Sequence, residues 1–118
     1  MHPFTRLRTW VAAHDLSIIV YRTTRGFPPE ERFGLLTQLR RATYSIEANI
    51  AEGARRRTQA EFRRFLDIAS GSASEVHCYL LLARDLGIVA EHEAAALIDR
   101  VVVVKRMLEA LARRIKSP

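Results

Sequence analysis

Cysteine is almost absent from this chain: Cys78 is the one cysteine among 118 residues. A single cysteine can form neither an intrachain disulfide nor a cysteine-cluster metal site. Long apolar runs are also missing, and none approaches the roughly 20 residues that a helix needs to cross a bilayer. The opening stretch MHPFTRLRTW is charged and has no apolar segment behind it, which predicts no secretory signal. We therefore expect a cytoplasmic protein that makes no membrane contact.

Lysine is scarce, and arginine supplies almost all of the positive charge. The chain has 19 basic and 13 acidic residues and a net charge of +6, yet only Lys105 and Lys116 are lysines. A GC-rich genome accounts equally well for the preference for arginine, but it does not account for the net charge. An excess of positive charge favours anionic partners such as RNA, DNA or an acidic protein surface.

Motifs of common catalytic and metal sites are missing. There is no Glu-x-x-His pair of the di-iron bundles, no glycine-rich phosphate loop and no nucleophile elbow. His77 and Cys78 are neighbours that a helix would point about 100° apart, so they cannot share a metal. Carboxylates such as Glu47 and Glu75 have arginines nearby, and ion pairing is their more ordinary use. We predict a protein that is not an enzyme, with no cofactor, metal or small-molecule substrate.

Glycine and proline are few, and they divide the chain into four long segments. These cover residues 6–24, 29–53, 58–86 and 91–115, with apolar residues at alternating spacings of four and three. Such spacing places one apolar stripe along a helix. Short connections make consecutive helices antiparallel. We therefore predict an all-α domain over residues 1–118, folded as an antiparallel up-down-up-down four-helix bundle.

Residues at the predicted helix ends are typical of helix caps. Thr58-Gln-Ala-Glu61 is a capping box, in which the threonine hydroxyl accepts a hydrogen bond from a backbone amide. Pro29 can begin a helix because the first turn has N–H groups to spare. Gly53 and Gly87 suit the left-handed conformation that follows a helix end. Asn49 interrupts an apolar stripe, so we expect it to cap nearby backbone or to fix the helix register.

Two segments contain more apolar or small residues than one stripe requires. The predicted stripe of the first segment contains Leu7, Val11, His14, Ile18 and Tyr21. Three further apolar residues lie outside this stripe, and we predict that they form an oligomer interface: Leu16, Ile19 and Val20. Small residues at 69–74 let another helix approach closely, either within the bundle or from a second copy. His14 is expected to be an interior or interface residue with one hydrogen bond.

Arginines concentrate between residues 40 and 64, and they form the candidate nucleic-acid-binding site. They are Arg40, Arg41, Arg55, Arg56, Arg57, Arg63 and Arg64. Guanidinium groups make forked hydrogen bonds with phosphate oxygens. Such binding is sensitive to salt and largely independent of sequence.

A structural role for the same arginines is the alternative. Arginines that follow a helix C-terminus stabilise its dipole, and Arg40 and Arg41 can pair with Glu52 or Glu75. Arg63 and Arg64 fall near a helix N-terminus, where the dipole disfavours positive charge, and this slightly favours a ligand.

Motif pieces in a fixed order along most of the chain are similar to those of one bacterial family. They are Trp10…His14-Asp-Leu16…Tyr21, Phe27-Pro-Pro-Glu-Glu31…Gly34-Leu35…Gln38-Leu-Arg-Arg-Ala42, Ser45-Ile46…Asn49-Ile-Ala-Glu-Gly53 and Glu61-Phe62…Phe65-Leu66…Ala69-Ser-Gly-Ser72…Glu75. On these residues the chain resembles the four-helix-bundle family that includes proteins encoded in intervening sequences of 23S ribosomal RNA genes. The similarity weakens after about residue 90. Glu47 departs from the pattern, since the family often has a small or apolar residue there.

The resemblance implies a cytoplasmic all-helical protein that assembles as a ring-shaped homo-oligomer, a pentamer. It also implies a poorly defined function, because ribosomal names in the family reflect gene location. More distant relatives are accessory proteins of retroelements that bind nucleic acid and a reverse transcriptase. We therefore predict a homo-oligomeric scaffold that binds RNA or DNA electrostatically. The alternative is an adaptor that binds an acidic protein partner and has no affinity for nucleic acid.

Overall fold

The computed structural model describes residues 3–31 and 34–115, and helices are the regular secondary structure in both ranges. The four α-helices are α1 (Arg8–Thr24), α2 (Leu35–Ala54), α3 (Gln59–Asp85) and α4 (Glu91–Arg114). Short 3₁₀ turns precede α1 at Phe4–Arg6 and α2 at Pro29–Glu31. The predicted all-α class with four helices is confirmed. Within the described ranges, no helix is both long and apolar enough to span a membrane.

The second helix begins later than predicted. Pro29 starts a 3₁₀ turn rather than an α-helix, residues 32–33 lie outside the described residues, and α2 begins at Leu35. Gly34 precedes α2 with an unusual backbone conformation (φ −111°, ψ −113°) that an α-helix cannot contain. The Glu31 carboxylate accepts a hydrogen bond from the Leu35 amide at 3.3 Å, so it satisfies one of the free N–H groups of the first turn.

Contacts between α1 and α2 show that these helices are antiparallel. Arg40, near the start of α2, donates to the Thr24 hydroxyl at the end of α1. Glu47, further along α2, accepts a hydrogen bond from His14, which lies nearer the start of α1. Residue numbers therefore fall along α2 as they rise along α1, as the predicted topology requires.

A polar link joins α2 to α3 and shows the same antiparallel relation. The Asn49 amide donates to the Ser45 carbonyl at 2.8 Å and to the Ser45 hydroxyl at 3.0 Å. That hydroxyl lies 3.0 Å from the Ser72 hydroxyl of α3. Further along α2, Gly53 lies against Phe65, earlier in α3. Asn49 therefore bonds to the backbone of its own helix, but α2 continues to Ala54, so Asn49 does not cap a helix end.

The small residues at 69–74 of α3 lie partly in the core and partly on the surface. Ala69, Ser72 and Ala73 are buried in the bundle, so close packing within one chain explains their size. Gly71 is exposed, and a Cβ atom placed there would have no neighbour within 4 Å. Packing within the bundle therefore gives no reason for the glycine at position 71.

The turn between α3 and α4 reverses the chain as expected. Gly87 has a φ of +71°, the left-handed conformation that glycine adopts without strain. The amide of Ile88 donates to the Ala83 carbonyl at 2.9 Å, which satisfies a carbonyl at the end of α3. α4 then returns along α3 and also contacts α1, so the four helices enclose one apolar core.

The apolar stripe predicted for α1 was wrong. Val11, Ile18 and Tyr21 are 41%, 38% and 40% exposed, whereas Leu16 and Val20 are buried. The buried face of α1 consists largely of small or hydroxyl-bearing residues, namely Thr9, Ala13, Leu16, Ser17, Val20 and Thr24. Four of these six are not large apolar residues. The buried face therefore has a weaker apolar periodicity in the sequence than the exposed face that was predicted to be buried.

This burial contradicts the oligomer interface predicted on α1. Leu16 and Val20 lie in the core of a single chain, and Ile19 is partly buried against that core. Side chains that fill the core of one chain are not available to a second copy. The apolar residues that α1 does expose are Val11, Ile18 and Tyr21.

Gly53 was also assigned the wrong role. It lies inside α2, which continues to Ala54, and among the described glycines only Gly87 has a positive φ. A Cβ atom at position 53 would lie 2.8 Å from Cβ of Phe65 and 3.0 Å from Cδ1 of Phe62. Glycine fits here because α3 approaches α2 so closely that a Cβ atom would force the helices to shift.

Candidate nucleic-acid interface at one end of the bundle

The arginine-rich corner between α2 and α3 lies at the same end of the bundle as two other basic segments. Because the helices alternate in direction, this end also contains the start of α1 and the last turn of α4. We call it the basic end, and its arginines are Arg6, Arg8, Arg55, Arg56, Arg57, Arg63, Arg64, Arg113 and Arg114. The bundle is 47 Å long and about 20 Å wide, so the two ends are well separated.

A hydrogen bond between α3 and α4 fixes the relative height of the two helices. Lys105 donates to the Ser74 hydroxyl at 2.6 Å. Arg64 lies ten residues before Ser74, and Arg114 lies nine residues after Lys105. At 1.5 Å per residue these separations are about 15 and 14 Å along antiparallel axes. Arg64 and Arg114 therefore lie at about the same height on the bundle.

The N-terminal turn brings further arginines to this end. Phe4 lines a cleft together with Arg55 and neighbouring residues at the end of α2. Arg6 ends the same 3₁₀ turn, and Arg8 begins α1. The sequence did not identify the arginines of α1 and α4 as part of the site, because they are far from the cluster along the chain. The predicted antiparallel topology was the signal that could have found them.

At the corner itself, arginines contact an acidic residue and an aromatic ring. Glu52 accepts from Arg55 at 3.2 Å and from Arg56 at 2.9 Å. The Arg56 and Arg64 guanidinium groups lie 4.7 and 4.9 Å from the centre of the Phe65 ring. Exposed ion pairs and cation–π contacts are each worth about 1 kcal/mol or less. These contacts orient the arginines without preventing them from binding a phosphate.

The threonine half of the capping box predicted at the start of α3 is present. The Thr58 hydroxyl accepts a hydrogen bond from the Glu61 amide at 3.1 Å. This cap fixes the start of α3 at Gln59, and the cap residue Thr58 directly follows the exposed Arg57. Arg63 and Arg64 then fall in the second turn of α3, so the local sequence determines their closeness to the Arg55–Arg57 run.

Arg40 and Arg41 do not belong to the basic end. Arg40 donates to the Thr24 hydroxyl at 2.9 Å and to the Tyr21 carbonyl at 3.3 Å, and its guanidinium lies 4.3 Å from the centre of the Tyr21 ring. Arg40 therefore caps the C-terminus of α1. Arg55 lies fifteen residues along α2, or about 22 Å away. Arg40 and Arg41 were predicted as part of the same nucleic-acid-binding site, but the structure places them apart from the arginines of the corner.

The predicted ion pairs of Arg40 and Arg41 are also absent from the described residues. Glu52 binds Arg55 and Arg56 instead. Arg41 is exposed and lines the groove between α2 and α3 together with Glu75, but no ion pair joins them.

A row of ring contacts runs from the N-terminal turn across α1 to α2. The rings of Phe4 and Trp10 meet edge to face with centroids 5.3 Å apart, and Trp10 stacks on His14 at 4.7 Å. His14 Nδ1 donates to Glu47 Oε2 at 2.7 Å, which confirms the single hydrogen bond predicted for His14. The side chain is 45% exposed, so the predicted interior position is not what the bundle shows. The spacing of Trp10 and His14 by four residues could have predicted their contact, whereas only the packing of α1 on α2 brings Glu47 to the ring.

The fold and the site together define an all-α four-helix bundle with positive charge concentrated at one end. Among the described residues, no group of three or more histidine, cysteine, aspartate or glutamate residues could hold a metal ion. Residues 5–110 match the family model described as 23S rRNA-intervening sequence protein. The chain therefore belongs to this family, as its motifs predicted.

A solved structure shows the same fold. It is the crystal structure of a protein with unknown function from the S23 ribosomal protein family of Bacteroides thetaiotaomicron, with a TM-score of 0.80 and 18% sequence identity. The match covers 89% of this chain and 98% of that chain. At this identity the likeness shows a common fold only. No curated protein matches the sequence.

Proposed function

We propose that this protein is a non-enzymatic, homo-oligomeric cytoplasmic scaffold that binds RNA or DNA through phosphate groups at the basic end. One observation supports the proposal most directly: three separate parts of the chain bring their arginines to the same end of the bundle. Guanidinium groups bind phosphate oxygens in forked pairs, and neighbouring groups neutralise successive phosphates along a strand. Binding of this kind is largely independent of base sequence.

The distribution of acidic residues supports the same end as the binding site. At the α2–α3 corner, two acidic residues, Glu52 and Glu61, accompany five basic ones. The basic residues are Arg55, Arg56, Arg57, Arg63 and Arg64. The opposite end also has arginines, but acidic residues accompany them, namely Glu30, Glu31, Asp85, Glu91 and Glu93. A field of one sign attracts a polyanion, whereas interspersed charges of both signs largely cancel.

Structural roles account for only part of the positive charge at the corner. Arg55 remains 68% exposed while it contacts Glu52, and Arg57 is exposed at the helix connection. Arg64 lies in the second turn of α3, where the helix dipole gives a positive charge no stabilisation. Charges that the fold does not need are available to an external anion.

Assembly into an oligomer is supported by the apolar residues that the bundle exposes on α1 and α4. Val11 and Ile18 lie two turns apart on the same face of α1, and Val103 of α4 is 51% exposed. A shallow groove between the two helices is lined by both apolar and charged residues, namely Ala12, Asp15, Asp99, Arg100, Val103 and Val104. A ring would present several basic ends to one polyanion, which raises the effective affinity without new contacts.

A titration of fluorescently labelled RNA and DNA at two salt concentrations tests the binding. We expect Arg55→Ala/Arg56→Ala/Arg57→Ala to weaken binding and to reduce the slope of log K against log salt by up to roughly 2 for a single strand. The control is Arg22→Ala/Arg25→Ala/Arg84→Ala, which removes the same charge at the opposite end and should change binding far less. If the wild-type protein does not bind at low salt, the proposal fails and the adaptor for an acidic protein remains.

Light scattering at several concentrations tests the assembly. We expect an oligomer that Val11→Asp/Val103→Asp dissociates, because each substitution replaces an exposed apolar side chain with a charged one. Leu86→Asp, at a residue that is 59% exposed beyond the end of α3, is the control and should leave the oligomer intact. A wild-type monomer at every concentration would refute this part of the proposal.

A further inference from the structure

An apolar cleft opens beside the arginine corner, between the N-terminal turn and the end of α2. It has a volume of about 520 Å³ and is lined by Pro3, Phe4, Ala48, Ala51, Glu52, Ala54 and Arg55. This volume is within the range of small-molecule binding sites. We propose that the cleft holds an unpaired base of a single-stranded RNA or DNA whose phosphates lie on the basic end. The inference rests on the proposed function and specifies its substrate class.

The residues that line the cleft suit a flat aromatic ligand. Ala48, Ala51 and Ala54 recur every three residues along α2, so they form a floor of methyl groups on one side of the helix. Phe4 lies opposite in the N-terminal turn and is 38% exposed, although exposed aromatic rings are usually few. Base–aromatic stacking accepts all four bases because each base has a π face.

The polar residues at the cleft match the rest of a nucleotide. Arg55 belongs both to the cleft and to the basic end, so phosphate binding and base binding adjoin each other. Glu52 holds Arg55 and Arg56 through its Oε2 atom. Its carboxylate has further acceptor capacity for an N–H group of a base. A base and its phosphate are joined by one sugar, and a strand on Arg55 can therefore place a base in the cleft.

Contacts within the protein hold the Phe4 ring at the cleft. The edge-to-face contact with Trp10 fixes Phe4, the stack on His14 fixes Trp10, and Glu47 fixes His14 through the 2.7 Å hydrogen bond. A preorganised ring loses little conformational freedom when a base stacks on it. Trp10, His14 and Glu47 are thus positioning residues. The hydrogen bond that holds His14 in this row gives a reason for a glutamate at position 47.

The central experiment compares three oligomers of equal length and charge per strand, each about fifteen nucleotides. They are a single strand, a single strand of abasic sites, and a duplex. For the wild-type protein we expect the normal single strand to bind about five- to a hundredfold more tightly than the abasic strand. The duplex should not show this gain, because its bases stay in the helical stack. Trp10 is the single tryptophan, so its fluorescence should change with the normal strand and not with the abasic one.

Two substitutions test whether the preference depends on the cleft. Phe4→Ala removes the ring, and Ala51→Leu fills the floor with a residue that favours helix. Both should abolish the preference for bases while leaving affinity for the abasic strand unchanged. Leu86→Ala removes an exposed apolar side chain at the opposite end and should preserve the preference. Glu47→Ala should weaken the preference less than Phe4→Ala does, because it acts through His14 and Trp10.

Each outcome separates this inference from the function on which it rests. Equal, salt-dependent binding of normal and abasic strands would overturn the base site and leave phosphate binding intact. Saturation by a nucleoside monophosphate as tightly as by the oligomer would overturn the assignment to a strand and indicate a free nucleotide. No binding of any oligomer would remove both proposals.

Discussion

Alanine substitutions at Gly53 and Gly71, made one at a time, test how closely α3 approaches α2. Both glycines lie within α-helices, so both substitutions gain the same intrinsic preference of alanine for helix, about 1 kcal/mol. The surroundings differ. The new Cβ at position 71 has no neighbour within 4 Å, whereas at position 53 it would meet Phe65 and Phe62.

The distances at position 53 set the expected magnitude. The new Cβ would lie 2.8 Å from Cβ of Phe65, and 3.3 Å from the carbonyl oxygen of Phe62. These atoms belong to the backbone or adjoin it, so α3 must move as a unit to make room. Overpacking of this kind costs about 1–3 kcal/mol. Gly71→Ala should therefore stabilise the protein by up to about 1 kcal/mol, whereas Gly53→Ala should be neutral or destabilising by up to about 2 kcal/mol.

Chemical denaturation at one fixed protein concentration measures both variants, since assembly makes stability depend on concentration. The denaturant concentration at the unfolding midpoint should rise for Gly71→Ala and should fall or stay unchanged for Gly53→Ala. The slope m should not change for either variant. If Gly53→Ala stabilised the protein as much as Gly71→Ala, α3 would not approach α2 as closely as described. The glycine at position 53 would then need another explanation.

Further substitutions test other parts of the structure by denaturation. Leu16→Ala should cost about 2–5 kcal/mol and Val11→Ala much less; equal effects would restore the stripe that the sequence predicted for α1. Arg40→Ala should cost about 1–3 kcal/mol because it removes the cap of α1, with nucleic-acid affinity unchanged in the titration described above; a loss of affinity instead would return Arg40 to the binding site. Thr58→Ala should cost about 0.5–2 kcal/mol by uncapping α3, and Thr58→Ser should restore most of that loss; equal stability of the two variants would contradict the capping role.

The sequence by itself determined the helices and most of their buried faces. The predicted segments 58–86 and 91–115 differ by one residue at most from the bounds of α3 and α4. Large apolar residues at helical spacing, a capping threonine and a glycine after a helix are local signals, and helix formation depends mainly on residues three and four apart. The arginines of the α2–α3 corner could also be identified locally, because they lie close together in the sequence.

Only the tertiary structure decided which face of α1 is buried and what Gly53 does. Thr9, Ala13 and Ser17 face the core because α2 and α4 pack against that side, and no property of these residues alone requires burial. Gly53 marks a close approach rather than a helix end, and both uses select the same amino acid. A pattern along one helix cannot distinguish them, because the deciding atoms belong to Phe62 and Phe65 of another helix.

Some arginines of the candidate site could be grouped from the sequence, and others only from the tertiary structure. Arg55–Arg57 and Arg64 are near one another in the sequence, whereas the arginines at the start of α1 and the end of α4 join them only through antiparallel packing. Arg40 is close to the cluster in sequence but about 22 Å from Arg55, because a helix carries each residue 1.5 Å further along its axis. Separation along a helix follows from helix geometry alone, whereas the meeting of arginines from different helices depends on how the complete bundle packs.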